Sequence, residues 1–128
     1  MELNLNNITF IIVSFKSEKI IDDCLKSLPK NSKIIVIENS NNYNLKKSLE
    51  LKYDNIEVLI SENNGMGASN NLGILKSETK FAYVLNPDVK FKKDTFENLI
   101  AAAIKITDFA ILTRSEEHTS ELQSQPDL

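Results

Sequence analysis

Four short apolar runs rich in β-branched residues recur along the chain, each followed by a segment of different period, and this alternation restricts the possible folds more than any other feature. The runs are Ile8 to Ser14, Lys33 to Glu38, Ile56 to Ile60 and Phe81 to Leu85. Each has strand length and is nearly continuous in apolar residues, as strands are when both faces of their sheet are covered. Between the first two, Ile20, Ile21, Cys24, Leu25 and Leu28 recur at helical spacing behind Ser17 and Glu18, which read as a helix start, until Pro29 stops the pattern. A polar loop, Asn39 to Asn44, precedes a second short helical pattern on Leu45, Leu49 and Tyr53. After a loop containing Gly65 and Gly67, Ala68, Leu72 and Leu75 mark a third helix. Asp94 and Glu97 form a box-like start for a helix carrying Phe96, Leu99, Ile100, Ala103 and Ile104, and a fifth strand begins near Phe109. The pattern predicts an α/β domain: a mostly parallel sheet with helices on both faces. Ligands of such sheets sit at the carboxyl ends of the strands, which here carry Ser14 and Phe15, Glu38 and Asn39, Ser61 to Gly65, and Asn86 to Asp88.

A chain of 128 residues, 41% hydrophobic and 26% charged, suits one globular domain, and it holds neither an internal repeat nor a linker. Its end reads differently. The run Arg114 to Ser124, RSEEHTSELQS, resembles the translation of a sequencing-library adapter; it contains the only Arg and the only His of the chain and has no apolar period. We therefore expect a truncated domain over residues 1–113 and a non-native tail over 114–128. Without the tail, lysines and acids balance, so the net charge of -3 belongs to the tail. A neutral body without arginine has no basic footprint for nucleic acid and no basic amphipathic segment for a lipid surface. Without a native His, Ser-His-Asp and Cys-His nucleophiles and His-containing zinc sites are excluded. The lone Cys24 reads as a small buried hydrophobe in a reducing compartment. The N-terminus has no basic n-region and the longest apolar stretch is strand-sized, so neither signal peptide nor membrane span is expected and the location reads as cytoplasmic. Abundant Lys, Asn and Ile fit an AT-rich bacterial genome.

Three segments could carry chemistry. In Asn86, Pro87, Asp88, a carboxylate directly after a buried strand offers hard oxygen ligands to Mg²⁺ or Mn²⁺, which needs few protein ligands when a diphosphate supplies others. By itself the tripeptide is equally a turn signal. The run Asn63 to Gly73, NNGMGASNNLG, is rich in small residues that let the chain pass close to a ligand or a neighbouring strand. It is not a dinucleotide fingerprint: Asn70 stands where a third glycine or alanine belongs, and the first strand is followed by Phe15, Lys16, Ser17. No GxxxxGK[ST] phosphate loop is present. Glu38 parallels the acid that binds a ribose or base edge in many nucleotide folds, although an acid at a strand end is often simply solvated.

The ordered set ITFIIVSFKSEKIIDDCLKSL, KIIVIENSN, SENNGMGASNNLGI and FAYVLNPDVKF resembles the first half of family 2 inverting glycosyltransferases with the GT-A fold, particularly the rhamnosyltransferase-like branch, over residues 8–113. The resemblance implies the nucleotide-binding half of a GT-A domain. It implies nucleotide-sugar contacts from Ser14, Phe15, Glu38, Asn63, Gly65, Asn71 and Asn86, with Gly73 in the small-residue loop and Asp88 as ligand of a divalent cation, Mg or Mn. Glu38 stands where the family more usually has aspartate, and Asn86 replaces the first acid of the metal motif, as in the rhamnosyltransferase-like branch. The implied reaction is metal-assisted, inverting displacement of a hexosyl group from a nucleoside-diphosphate sugar. The acceptor would be a saccharide or lipid-linked saccharide in bacterial polysaccharide or cell-wall synthesis, with the full-length enzyme peripheral at the inner face of the membrane. In the family the general base comes from the second half of the domain, so no catalytic residue is assigned here and the fragment is expected to be inactive. Two other readings are a sugar-nucleotide pyrophosphorylase, which lacks support because Phe15, Lys16, Ser17 is no glycine-rich basic loop, and a receiver-like binding module, which would want acids where Ser14, Phe15 and Ser61 stand. Sequencing the source locus should show the native frame leaving RSEEHTSELQS after Thr113; a continuous genomic frame through that run would make the tail native.

Overall fold

The structure, a computed structural model, describes residues 5–92, 97–98 and 111–113. A turn of 3₁₀ helix at Leu5–Asn7 leads into β1 (Ile8–Ser14), followed by α1 (Ile21–Ser27), β2 (Lys33–Glu38), α2 (Tyr43–Lys52), β3 (Ile56–Ile60), α3 (Met66–Lys76), β4 (Phe81–Leu85) and β5 (Ile111–Thr113). The strands form one sheet in the order β3-β2-β1-β4-β5; the first four are parallel and β5 runs antiparallel to β4. All seven residues of β1 are buried, as its continuous apolar run requires of a central strand. The expected helix on Phe96 to Ile104 and the tail fall mostly outside the described residues.

The order of strands dictates where the helices go. From β1 the chain steps outward to β2 and β3, then crosses back to place β4 on the other side of β1. Right-handed crossovers taken in opposite directions put their helices on opposite faces. Accordingly Ile8, Phe10 and Ile12 of β1 join a core with Ile21, Cys24, Leu25 and Leu28 from the α1 segment and Leu45 and Leu49 of α2. On the other face Ile11 packs with Ile74 of α3 and Ala82, and Val13 packs with Ile35, Ile37 and the partly buried Leu72 of α3.

Three local readings shift. Ser17 does not cap α1: its hydroxyl turns back to the Phe15 carbonyl, and its own carbonyl accepts from Ile20 and Ile21 N–H, so the helix starts one turn later. At its other end Leu28 is extended, as a residue before proline must be. In α2 the cap is Asn42, whose side chain accepts from Leu45 N–H, so the helix begins within the expected loop. In α3 the phase differs: Ala68 and Leu75 are exposed, whereas Ser69, Gly73 and Ile74 face the sheet. Gly73 lies so close to β1 that an added Cβ would collide with Ile11 Cγ2. Of the two uses expected for the small residues of this run, close approach to a ligand or to a neighbouring strand, Gly73 shows the second.

Strand β3 is an edge, and its outer hydrogen-bonding groups need partners. Side chains of α2 supply them: Glu50 accepts from Val58 N–H at 2.8 Å, and Lys46 donates to the Val58 carbonyl at 2.7 Å. The two side chains also pair with each other at 2.9 Å. The Val58 N–H, with help from Lys46, holds the Glu50 carboxyl below its ordinary range. Across the same layer Asp22 of α1 accepts from the Tyr53 hydroxyl at 2.6 Å and pairs with Lys52 and Lys26. Burial would raise the Asp22 pKa, but these hydrogen bonds outweigh it and hold the carboxyl at about 2.

Two outcomes follow from the packing. Gly73→Ala should lower stability by about 1–3 kcal/mol through overpacking against Ile11, read as a lower urea midpoint. For Asp22 the folded pKa lies below the ordinary 3.8, so its contribution is complete above about pH 4 and disappears as pH falls toward about 2. The Tm should therefore drop across that window, and Asp22→Asn should show a smaller drop than the unaltered chain.

Candidate functional site

In strand order the chain goes from β1 outward to β2 on one side and from β4 outward to β5 on the other, so the order reverses between β1 and β4, and open α/β folds bind ligands at the carboxyl end of such a switch point. Register places the expected residues there. Ser14 is level with Glu38, and Ile12 with Leu85, so Asn86 to Asp88 emerge beside the end of β1. A polar cavity of about 690 Å³ lies at the amino end instead, among Asn6, Thr9, Lys33, Asn55 and Thr79. It contains none of the motif residues.

Segment 86–91 is held from below by α1. The Cys24 thiol donates to the Asn86 carbonyl at 3.9 Å, and Ser27 Oγ accepts from Phe91 N–H at 2.9 Å while donating to the Cys24 carbonyl. The Phe91 ring meets Phe10 edge-on with centroids 5.8 Å apart and lies 6.0 Å from Tyr83. Val89 N–H closes the turn onto the Asn86 carbonyl. Asn86 and Asp88 remain exposed. Burial, and then the nearby Asp88 charge, push the Cys24 thiol up to about 11, so this cysteine is an inert support.

On the other side of β1, Phe15 is half-exposed and Lys16 takes a left-handed backbone, φ 55°, with its ammonium 5.4 Å from the Phe15 ring centre. A non-glycine residue in that region is a strained conformation that neighbouring contacts must hold. Ser14 and Glu38, expected as nucleotide-sugar contacts, are completely buried in this nucleotide-free structure. Gly65, at φ 101°, begins α3 at the same edge, and Asn63 accepts from its N–H. Asn71 lies on the exposed face of α3, opposite the side carrying Ser69 and Gly73.

The sequence reading assigned no role to Asn39, yet it joins the three loops. Its N–H donates to the Ser14 carbonyl, its Nδ2 to the carbonyls of Ser61 and Glu62, and its Oδ1 accepts from Ser69 of α3. The available signal was a buried-type position directly after a strand occupied by a side chain with both donors and an acceptor.

Among the described residues no cluster of three His, Cys, Asp or Glu side chains could hold a metal by itself. One exposed carboxylate, Asp88, fits a hard cation whose remaining ligands are diphosphate and water oxygens.

Sheet order and helix placement together define an α/β domain with a mostly parallel sheet. More narrowly, the chain belongs to glycosyl transferase family 2, whose profile matches residues 9–126 and so runs on through the segment expected to be foreign. Among solved structures it is similar to S. aureus TarS 1-349, 22% identical over 77% of this chain and 32% of that one, with a TM-score of 0.63. TarS in complex with UDP-GlcNAc matches at 21% identity, 77% and 31% coverage and TM-score 0.62. The mannosyltransferase PcManGT from Pyrobaculum calidifontis, in complex with GDP-Man and Mn²⁺, matches at 13% identity, 76% and 32% coverage and TM-score 0.64. These likenesses establish the GT-A type of fold. The chain spans about a third of the length of these proteins. A search of curated protein sequences found no match.

Proposed function

We propose that this chain is the donor-binding part of a glycosyltransferase that moves a hexosyl group from a nucleoside-diphosphate sugar to a saccharide or lipid-linked saccharide by inverting displacement. The observation that carries the reading is Asp88, an exposed carboxylate on a braced turn directly after β4 at the switch point of a family 2 sheet. Phe15, half-exposed at the end of the neighbouring strand, would offer an apolar ring for a nucleobase. Asn63 and Gly65 set the loop before α3, whose free first-turn N–H groups suit phosphate oxygens, and Asn86 offers polar atoms beside Asp88. Asp88 would hold the divalent cation, Mg or Mn; when bound, such an ion neutralises charge on the leaving diphosphate. The chain's own residues bind and orient the donor.

The rhamnosyltransferase-like assignment rests on Asn86 in the metal motif, and that of residues 114–128 as foreign rests on their composition. No described helix is long and apolar enough to cross a membrane. A cytoplasmic enzyme, peripheral at the inner membrane face and serving bacterial polysaccharide or cell-wall synthesis, is the setting that the acceptor class suggests. The general base is proposed to lie outside residues 1–113, since an inverting enzyme needs one within reach of the acceptor hydroxyl.

Calorimetric titration with UDP, GDP and dTDP, with and without Mn²⁺, tests this. Mn²⁺ should strengthen binding of one of them, and Asp88→Ala should remove at least about tenfold of that gain, as losses around metal sites do. Binding indifferent to both Mn²⁺ and Asp88→Ala would remove the metal role, and glycosyl transfer by this chain would refute the missing base.

A further inference from the structure

Glu38 occupies the place where the family resemblance expects a nucleoside ligand, and its environment is that of a structural group. Its side chain is fully buried, at 0% exposure. One oxygen, Oε2, accepts from three donors of the following loop: the N–H of Ser40, the hydroxyl of Ser40 and the N–H of Asn42 at 3.2 Å. The hydroxyl of Ser40 in turn accepts from Lys16 N–H at 3.2 Å.

The polarity of this chain of bonds has one solution. A carboxylate oxygen only accepts, so the Ser40 hydrogen points to Glu38 and a Ser40 lone pair is left for the Lys16 N–H. The direction therefore runs from Lys16 through Ser40 to Glu38. Two loops depend on it. The β2–α2 loop contains Asn41 at φ 57° and leads to Asn42, the cap of α2. The β1–α1 loop contains Lys16 at φ 55° next to the exposed Phe15. Both left-handed residues are thus bracketed by bonds that end on the same carboxylate. The other oxygen, Oε1, and the neighbouring Ser14 Oγ are buried without a hydrogen-bond partner among the described residues.

We infer that Glu38 is a positioning residue whose buried carboxylate fixes the loops that follow β1 and β2, so that nucleoside contact falls to Phe15 and to the groups those loops display. The inference rests on the nucleotide-sugar reading of this edge only for its functional half; the structural half concerns the nucleotide-free protein.

The test measures amide hydrogen exchange by NMR on the nucleotide-free chain, then affinities for UDP, GDP and dTDP with Mn²⁺, for the unaltered chain, Glu38→Gln, Glu38→Ala and Ser40→Ala. Protection of the Lys16, Ser40 and Asn42 amides should survive Glu38→Gln, whose amide oxygen still accepts, and fall at least about tenfold in Glu38→Ala, the scale of a lost hydrogen bond to a charged group. Ser40→Ala should release Lys16 while leaving Asn42 protected, which keeps the test decisive if Glu38→Ala does not fold. Glu38→Gln should keep the order of nucleotide preference, with each affinity within about threefold of the unaltered chain. A reordered base preference in Glu38→Gln with all three amides still protected would make Glu38 a nucleoside ligand and overturn the inference. Unprotected amides in the unaltered chain would overturn it equally. Failure of the unaltered chain to bind any of the three nucleotides would count against the proposed function, while the exchange data would still decide the role of Glu38 in the loops.

Discussion

Strand β1, buried along its whole length and paired in parallel on both sides, is the constraint on which the other elements depend. Parallel neighbours cannot be joined by tight turns, so each connection must climb back over a face of the sheet. Because β2 and β4 lie on opposite sides of β1, the returning helices are divided between two faces. Alternate β1 side chains then commit to different layers: Phe10 and Ile12 to α1 and α2, Ile11 and Val13 to α3. The tightest consequence is at Gly73, where α3 approaches β1 too closely for any side chain.

The same arrangement gathers the strand ends at one edge of the sheet. Phe15 directly follows β1, and Asn86 and Asp88 directly follow β4, so these exposed groups stand at the carboxyl ends of neighbouring strands. Polar groups beneath this edge face the cost of burial, about 1–3 kcal/mol for each unsatisfied group, and most are joined into networks. Asn39 ties the ends of β1, the β3–α3 loop and α3 together, while Glu38 gathers the donors of the β2–α2 loop. Beneath Asp88 the support is different in kind: an inert thiol, a serine hydroxyl and three aromatic rings.

Much of this was legible because strand and helix periods are local. The four runs named from the sequence are the four parallel strands, with unchanged bounds, since a continuous β-branched run has little alternative once both faces of a sheet are covered. Helix starts were less legible. Ser17 has the chemistry of a cap, but its hydroxyl found a nearer acceptor in Phe15, and Asn42 took the role that the loop reading had not assigned. The phase of α3 was misread through Ala68 and Leu75, because a helix pressed against a sheet by a glycine contact shows a small residue where a larger apolar one marks the buried face elsewhere.

For the site, the sequence alone determined which residues stand at strand ends: Ser14, Glu38, Asn63, Asn86 and Asp88 hold positions that follow from element boundaries, and those boundaries follow from composition. Whether such a residue faces a ligand or the protein depends on what the rest of the chain brings beside it, and only the tertiary structure decided that. It left Asp88 and Phe15 exposed, sent Asn71 to the outer face of α3 and buried Glu38 under its own loop. Spacing along a chain specifies the end of a strand, whereas the hydrogen-bond partners that claim a carboxylate come from segments that meet only after folding: Lys16 and Ser40 are 24 residues apart and share one bond.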